Sequence, residues 1–269
     1  MVMKARGVKC LKFGREAEPF DQVSVEEPLE LLVDGHPVSV LMRTPGDDEG
    51  LMLGFLLTEG IVDSVEEIER VALDYGENRC IAFLREGTKL DLERLSRHMF
   101  TASSCGICGK ASIDAALQVS PPLTGLTLTL SEETLLGALA KMEERQKTFQ
   151  QTGGLHAAAL FSLGGELLSL GEDVGRHNAV DKVLGECLRA RVDFGQTFLV
   201  VSGRVSFEIV QKALAARVPC LAAVSAPSSL AVETAEAGHM TLVGFLRPPR
   251  WNLYVEGQVQ LTANAKPAS

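Results

Sequence analysis

No run of apolar residues in this chain approaches the roughly 18 that a membrane-crossing helix needs, so no membrane span is expected. A second Cys-x-x-Cys is missing beside the one at Cys105 and Cys108, which leaves the four-ligand pattern of a structural zinc site incomplete in the sequence. The GxxxxGK[ST] arrangement of a P-loop is absent, as are internal repeats and low-complexity tracts. Cations are not in excess either. The formal net charge is -9, which argues against a protein that wraps a nucleic-acid backbone but leaves room for a local basic pocket. The start, MVMKARGVKC, is basic but has no apolar segment behind it, so neither a signal peptide nor export is expected and a cytoplasmic location is.

What is present is an ordinary globular composition, 46% hydrophobic and 23% charged over 269 residues, enough for a substantial core in one large domain or two modest ones. The six cysteines include only one close pair, and a chain of this size needs no disulfide framework. Cys10, Cys80, Cys187 and Cys220 are expected to be buried small hydrophobes.

The first part reads as β-rich. LELLVDGHPVSVLM (29–42) forms two strands around Asp34-Gly35, and VALDY (71–75) and RCIAFL (79–84) straddle a turn at Gly76-Glu77. Between them, 47–61 has acidic residues at its start, helical spacing of apolar residues and a stop at Gly60. After the cysteine pair, ASIDAALQV continues as a short helix before SPPLTG (120–125) breaks the chain. Two domains are therefore expected, a smaller β-rich one over 1–122 and an α/β one over 123–269. In the second, a helix over 131–149 capped by Ser131 precedes strands at 155–163 and 166–170. Helix 177–190, strand 196–202, helix 206–218, strand 220–226, helix 228–237 and a last major strand at 241–247 follow. That order predicts a three-layer α/β domain, with crossover strands parallel and binding loops at their carboxyl ends.

Chemically, SSCGICGK (103–110) admits several readings. It could be half of a zinc site completed through the fold by His156, His177 or His239, a dithiol redox switch, a structural or regulatory pair, or a site where one thiolate carries sulfane sulfur and its neighbour relays or releases it. Spacing makes each feasible and selects none.

Three polar segments fall at predicted strand ends. TGGLHAA (152–158) puts Gly153 and a second glycine before His156. GEDVGRHNAVDK (171–182) crowds Asp173, Arg176, His177, Asn178, Asp181 and Lys182 around a helix start, where a solvated cap would account for Asp173 and Lys182. VSGRVS (201–206) offers Gly203 and Arg204 to a phosphate or guanine-bearing ligand, and SAPSS (225–229) brings Ser225 to a third loop. Ordinary turns and caps would explain each alone; together the loops describe one ligand mouth.

These segments carry a resemblance. TP (44–45), GFLLTEGI (54–61), SSCGICG (103–109), TGGLHAAAL (152–160), EDVGRHNAVDK (172–182), SGRVSFEIVQK (202–212) and SAPSSLAVETAEAGHMTLVGFLR (225–247) are similar, over nearly the whole chain, to the formate dehydrogenase accessory sulfurtransferase (FdhD) family. The resemblance implies a cytidine-deaminase-like core and a homodimer. It implies a protein that takes sulfur from a cysteine desulfurase and passes it to the molybdenum bis(molybdopterin guanine dinucleotide) cofactor before insertion into the catalytic subunit of a formate dehydrogenase. That cofactor is a bound substrate; no permanently bound cofactor or metal is implied. By the same resemblance Cys105 is the persulfide cysteine and Cys108 its partner. Phe245, Leu246, Arg247, Pro248, Pro249 and Arg250 match the cofactor-binding stretch, where two prolines remove two main-chain donors and the arginines remain as phosphate partners. His156 is followed by Ala157 and Ala158, and no Pro-Cys-x-x-Cys comes later, so a deaminase's catalytic residues are missing from the pattern. A non-catalytic cofactor chaperone and a zinc or thiol redox protein are the alternatives.

Overall fold

The computed structural model describes residues 3–10, 20–88, 113, 117, 120–125 and 127–262; Cys105 and Cys108 lie outside the described residues, with most of the short helix expected after them. Two short, largely polar strands open the chain, β1 (Ala5–Lys9) and β2 (Phe20–Ser24), paired antiparallel. Neither was expected, because ARGVK and FDQVS have almost no apolar alternation.

The next hairpin follows the sequence pattern. β3 (Glu27–Val33) and β4 (His36–Arg43) pair antiparallel around Asp34 and Gly35, whose φ values of 49° and 80° are those of a turn that matches strand twist. α1 (Asp48–Thr58) leads to β5 (Ile68–Asp74) and β6 (Arg79–Leu84). Their turn takes its left-handed residue at Asn78 (φ 52°) rather than at Gly76. A parallel β3–β6 pairing completes a four-stranded sheet of order β4-β3-β6-β5. α1 is apolar on nearly every side and is buried accordingly.

A six-stranded sheet organises the rest. β7 (Leu128–Ser131) and α2 (Glu132–Arg145) come first, with the Ser131 hydroxyl accepting from Thr134 N–H as an N-cap. The single helix expected over 131–149 is instead broken at Gln146, and α3 (Lys147–Thr152) starts afresh. The break has a distant cause: the Glu172 carboxylate accepts Thr148 N–H at 3.0 Å and Phe149 N–H at 2.7 Å. β8 (His156–Ser162), β9 (Leu167–Asp173), α4 (Arg176–Arg189), β10 (Thr197–Val201), α5 (Phe207–Ala215), β11 (Cys220–Ala223), α6 (Ser229–Ala237) and β12 (Thr241–Arg247) follow, close to their expected bounds. β12 is not the last strand: β13 (Arg250–Val255) turns back beside it, and β14 (Val259–Thr262) pairs parallel with β7. The sheet order is β13-β12-β11-β10-β8-β9, with β10, β11 and β12 parallel and the outer strands antiparallel.

Both faces of this sheet are covered, giving a mixed α/β architecture. Ala157, Ala159, Phe161, Phe198, Val200 and Val243 pack with Leu135, Leu139 and Met142 of α2. On the other face Ala158, Leu160, Leu199, Val201 and Leu221 meet α4 and α5, and the same cluster continues through α1 to Leu29 and Leu31 of β3. One apolar core thus runs across residue 122. The crossing of α1 and α4 is what joins the two parts. A Cβ on Gly54 would stand 1.9 Å from the Asp181 carbonyl oxygen, and one on Gly185 would stand 1.9 Å from that of Gly50, so only glycine lets these backbones touch.

Cys80, Cys187 and Cys220 are buried, and burial pushes each thiol up to about 12, leaving it neutral and inert. Cys10 departs from expectation, being only partly buried.

Candidate functional site

The carboxyl ends of β10, β11 and β12 open on one rim of the large sheet. Because β8 runs antiparallel to β10, its first residue, His156, lies at that rim too, and Asp173 at the end of β9 pairs with His156 in register. The loops are tied to one another: Val205 N–H donates to the Ala226 carbonyl, Ser228 N–H to that of Val205, and Phe245 N–H to that of Ser225. Arg176, His156, Gly203-Arg204, Ser225 and Phe245–Arg250 therefore stand along a single edge, and the polar loops singled out in the sequence are neighbours in space. Gly153, at φ 65°, ends α3 just before this edge.

At the inner end, a Cβ on Gly203 would meet His156 Nδ1 at 3.2 Å and Arg176 Cβ at 3.9 Å, so the small residue makes the notch between them. Burial, together with the Arg176 and Arg204 guanidiniums, holds His156 below its usual range against the opposing pull of Asp173. His177 is lowered further, to about 4, by burial first and then by Arg176 and Lys212, against Glu208 and Glu59. Both imidazoles are neutral near pH 7, and the local positive charge rests on the arginines. His177 Nε2 is 4.0 Å from a Glu208 carboxylate oxygen, too far for a hydrogen bond, and it and Arg176 Nε are buried with no hydrogen-bond partner among the described residues.

Behind the notch lies a buried polar hub that the sequence did not reveal. Asp173 and Lys182, which a solvated cap would have explained, are instead 0% and 1% exposed and form an ion pair at 2.7 Å. The correction has a local reason: Asn178 and Lys182 are one helical turn apart on α4, and both face the Asp173 carboxylate. That carboxylate also accepts from Thr44 N–H at 3.0 Å and Gly175 N–H at 2.8 Å. Lys182 donates to the Thr44 carbonyl, and the Thr44 hydroxyl accepts from Val174 N–H. Asn178, expected to contact ligand, is buried and spends its amide on Asp173 and the Met42 carbonyl, so it positions the start of α4. A second buried centre sits one turn along α4. Burial pushes the Asp181 carboxyl up to about 6 against Lys212, 2.9 Å away. Burial works against the charge on Lys212, but Asp181 and Glu59 hold its pKa above the ordinary range.

The outer end is different. Phe245, Arg247, Pro248, Pro249 and Arg250 are exposed where β12 turns into β13, and Arg247 Nε donates to the Val224 carbonyl at 3.2 Å. Leu246, between them, is fully buried in the core beneath the sheet, so only its main chain faces the rim. Among the described residues, no three His, Cys, Asp or Glu side chains converge to hold a metal, and no helix is long and apolar enough to cross a membrane.

Fold and rim together define the class: a mixed α/β protein whose main sheet ends in an arginine-bearing edge backed by buried ion pairs. Comparison with known proteins makes it particular. The profile of the FdhD/NarQ family matches residues 24–259. The chain is 47% identical over 249 residues to the sulfur carrier protein FdhD of Mycobacterium bovis, covering 87% of this chain and 90% of that one. It is 42% identical to the protein of the same name from Streptomyces avermitilis, covering 98% of each, and 41% identical to that of Sulfolobus acidocaldarius, covering 94% and 97%. A crystal structure described as that of a formate dehydrogenase accessory protein from Desulfotalea psychrophila shares the fold, with a TM-score of 0.75 at 23% identity over 95% of this chain and 98% of that one. The chain belongs to the FdhD/NarQ family.

Proposed function

We propose that this protein is a sulfur carrier and sulfurtransferase that accepts sulfane sulfur from a cysteine desulfurase and passes it to the molybdenum bis(molybdopterin guanine dinucleotide) cofactor before that cofactor enters a formate dehydrogenase. The observation that carries the reading is identity of 41–47% over 87–98% of the chain to proteins named sulfur carrier protein FdhD.

In this reading Cys105 is the carrier. Its thiolate attacks the outer sulfur of the donor's persulfide, the donor's S–S bond breaks, and the donor leaves as a thiolate. The exchange needs no external oxidant. Cys108 assists relay or release. Cys80, Cys187 and Cys220 are unsuited to the task, because a thiol held near 12 is almost never a thiolate at neutral pH.

The rim is the cofactor's seat in the same reading. Arg204, Arg247 and Arg250 take phosphates, Arg176 and His177 stand at its inner end, and Gly153, His156, Gly203 and Ser225 line the mouth. Neutral histidines act there as hydrogen-bonding groups, with proton transfer left to neither. The mixed α/β architecture is a cytidine-deaminase-like core in which His156-Ala157-Ala158 has no His-x-Glu acid/base, and the β-rich part over 1–122 is its smaller companion. A cytoplasmic homodimer that binds the cofactor only as substrate, and that meets the desulfurase and the catalytic subunit of formate dehydrogenase in turn, completes the proposal.

Intact-protein mass spectrometry after incubation with a cysteine desulfurase and cysteine tests it. A reductant-labile sulfur adduct on wild type, lost in Cys105→Ala, is the expected result. No uptake while a control acceptor is loaded would overturn it. Uptake that survives Cys105→Ala would move the carrier elsewhere, and intact maturation in that variant would leave a non-catalytic cofactor chaperone.

A further inference from the structure

The outermost strand pair of the large sheet is irregular in two places, and both irregularities involve an exposed aromatic residue. Leu242 pairs with Val255 but Val243 with Leu253, so Tyr254 is an extra residue on β13. Gly244 pairs with Asn252 but Arg247 with Arg250, so β12 holds an extra residue between them, where Phe245 takes a left-handed φ of 51°. A bulky residue with positive φ is uncommon, and β-bulges re-aim side chains beside functional sites. Here they leave Phe245 41% and Tyr254 36% exposed at the end of the rim that bears Arg247 and Arg250.

Gly244 explains where the tyrosine goes. A Cβ there would meet Tyr254 Cε2 at 2.8 Å, Pro227 Cδ at 3.0 Å and the Ser225 carbonyl oxygen at 3.3 Å. The absence of a side chain is what lets the ring lie across β12 against the loop after β11. Phe245 N–H is bonded to the same Ser225 carbonyl, and Arg247 to Val224 beside it. Pro227 in turn bridges to Val205, next to Arg204. An aromatic face is thus continuous, through one loop, with guanidiniums on both sides.

We infer that Tyr254, seated over Gly244 beside Pro227, is the base-stacking residue of the rim and fixes the purine ring of a guanine nucleotide at its outer end. The inference rests on the reading of the rim as the seat of a guanine dinucleotide cofactor and adds the direction in which that ligand lies. Strands stand about 4.8 Å apart, so the span from β12 to β8 is roughly 14 Å, the reach of a nucleoside diphosphate laid with its base over Tyr254 and its phosphates running past Arg247, held at the Val224 carbonyl, toward Arg204 and Arg176. Stacking suits this end because the Tyr254 ring is open to solvent on one side and braced by Pro227 on the other, whereas the inner end is built on buried charge.

The experiment is calorimetric titration of the full-length protein with guanosine diphosphate and, separately, with pyrophosphate, which lacks the base. Tyr254→Leu is expected to weaken guanosine diphosphate by roughly 5- to 100-fold while leaving pyrophosphate within about twofold, and Tyr254→Phe to keep both. The thermal midpoint stays at the wild-type value in both variants. Unchanged nucleotide affinity in Tyr254→Leu, or an equal loss of both ligands, would overturn the stacking role. Wild type that binds pyrophosphate as well as guanosine diphosphate would overturn it too, leaving the anionic rim in place. Wild type that binds neither ligand would remove the cofactor seat itself, and the inference with it.

Discussion

At the inner end of the rim, where β8, β9 and α4 meet, the charged groups are buried and bonded to one another; at the outer end, where β12 turns into β13, they are exposed, and Arg247 bonds to a main-chain carbonyl. Asp173 and Lys182 are almost inaccessible, and through Thr44 they hold the N-terminal segment against the start of α4. Arg247 and Arg250 stand in solvent on a bulged edge. The difference separates two tasks that a ligand site must perform. A buried ion pair contributes little net stability, but removing one partner strands the other, so it fixes position more than it adds energy. An exposed arginine fixes nothing in the free protein and spends its charge on whatever arrives. Substitutions at the inner end should therefore act on folding, and those at the outer end on binding alone.

The strongest way to break this contrast is Asp173→Ala. It strands Lys182 Nζ, Asn178 Nδ2 and the N–H groups of Thr44 and Gly175 in a place water does not reach. Loss of one member of a buried pair costs about 3–5 kcal/mol, a large share of the stability of a typical domain. Chemical denaturation should show the midpoint falling accordingly, with Asp173→Asn milder because an amide can still accept. A loss under about 1 kcal/mol would mean that the hub is not what holds the inner end.

That hub also marks the limit of what the sequence reveals. Local pattern was enough for the Asp34-Gly35 hairpin, for α1 and for the alternation of strands and helices from His156 to Arg247, and it brought the three strand-end loops to one mouth. Pairings between distant segments were not legible. Thr44 meets Asp173 across 129 positions, and Glu172 starts α3 from 24 positions away, breaking a helix that periodicity had read as continuous. Nothing in EDVGRHNAVDK distinguishes a carboxylate that caps a helix in solvent from one sealed beneath another strand. β1 and β2 escaped because they are polar. β13 escaped although RWNLYV is apolar enough: it lies just past Pro248 and Pro249, beyond the strand taken as the last major one. Cys105 and Cys108 were legible as chemistry, and the resemblance alone chose among their possible roles.

Acid offers a gentler probe of the inner end. His177 is lowered to about 4 by burial, Arg176 and Lys212, while Glu208 and Glu59 oppose. The unfolded chain, with its histidine at an ordinary pKa near 6.5, binds more protons than the folded one between those values. Stability from this group is therefore complete above about pH 6.5 and is lost as pH falls toward 4. His156, also lowered, works in the same direction, whereas Asp181, raised to about 6, works against it. Comparing wild type with His177→Gln isolates the one group. The variant's thermal midpoint should fall less between pH 7 and pH 5, and an unchanged pH dependence would show that His177 is free to take up its proton in the folded state.

The smallest effect on the fold, and the one that sharpens the contrast most, belongs to Arg247→Ala. Arg247 is exposed and its Nε bond to the Val224 carbonyl is its contact to a loop that Phe245 N–H and Ser228 N–H already hold. Substitutions of this kind generally change stability by no more than about 0.5 kcal/mol. Phosphate affinity should nonetheless drop, because a charge-assisted bond to an anion is among the stronger single contacts a rim residue can make. Pyrophosphate titration and thermal unfolding of the same sample read the two quantities together. Weaker binding at an unchanged midpoint is the signature of an end built for contact. A midpoint that falls with the affinity would place Arg247 with Asp173, as part of the frame, and the division of labour along the rim would then be lost.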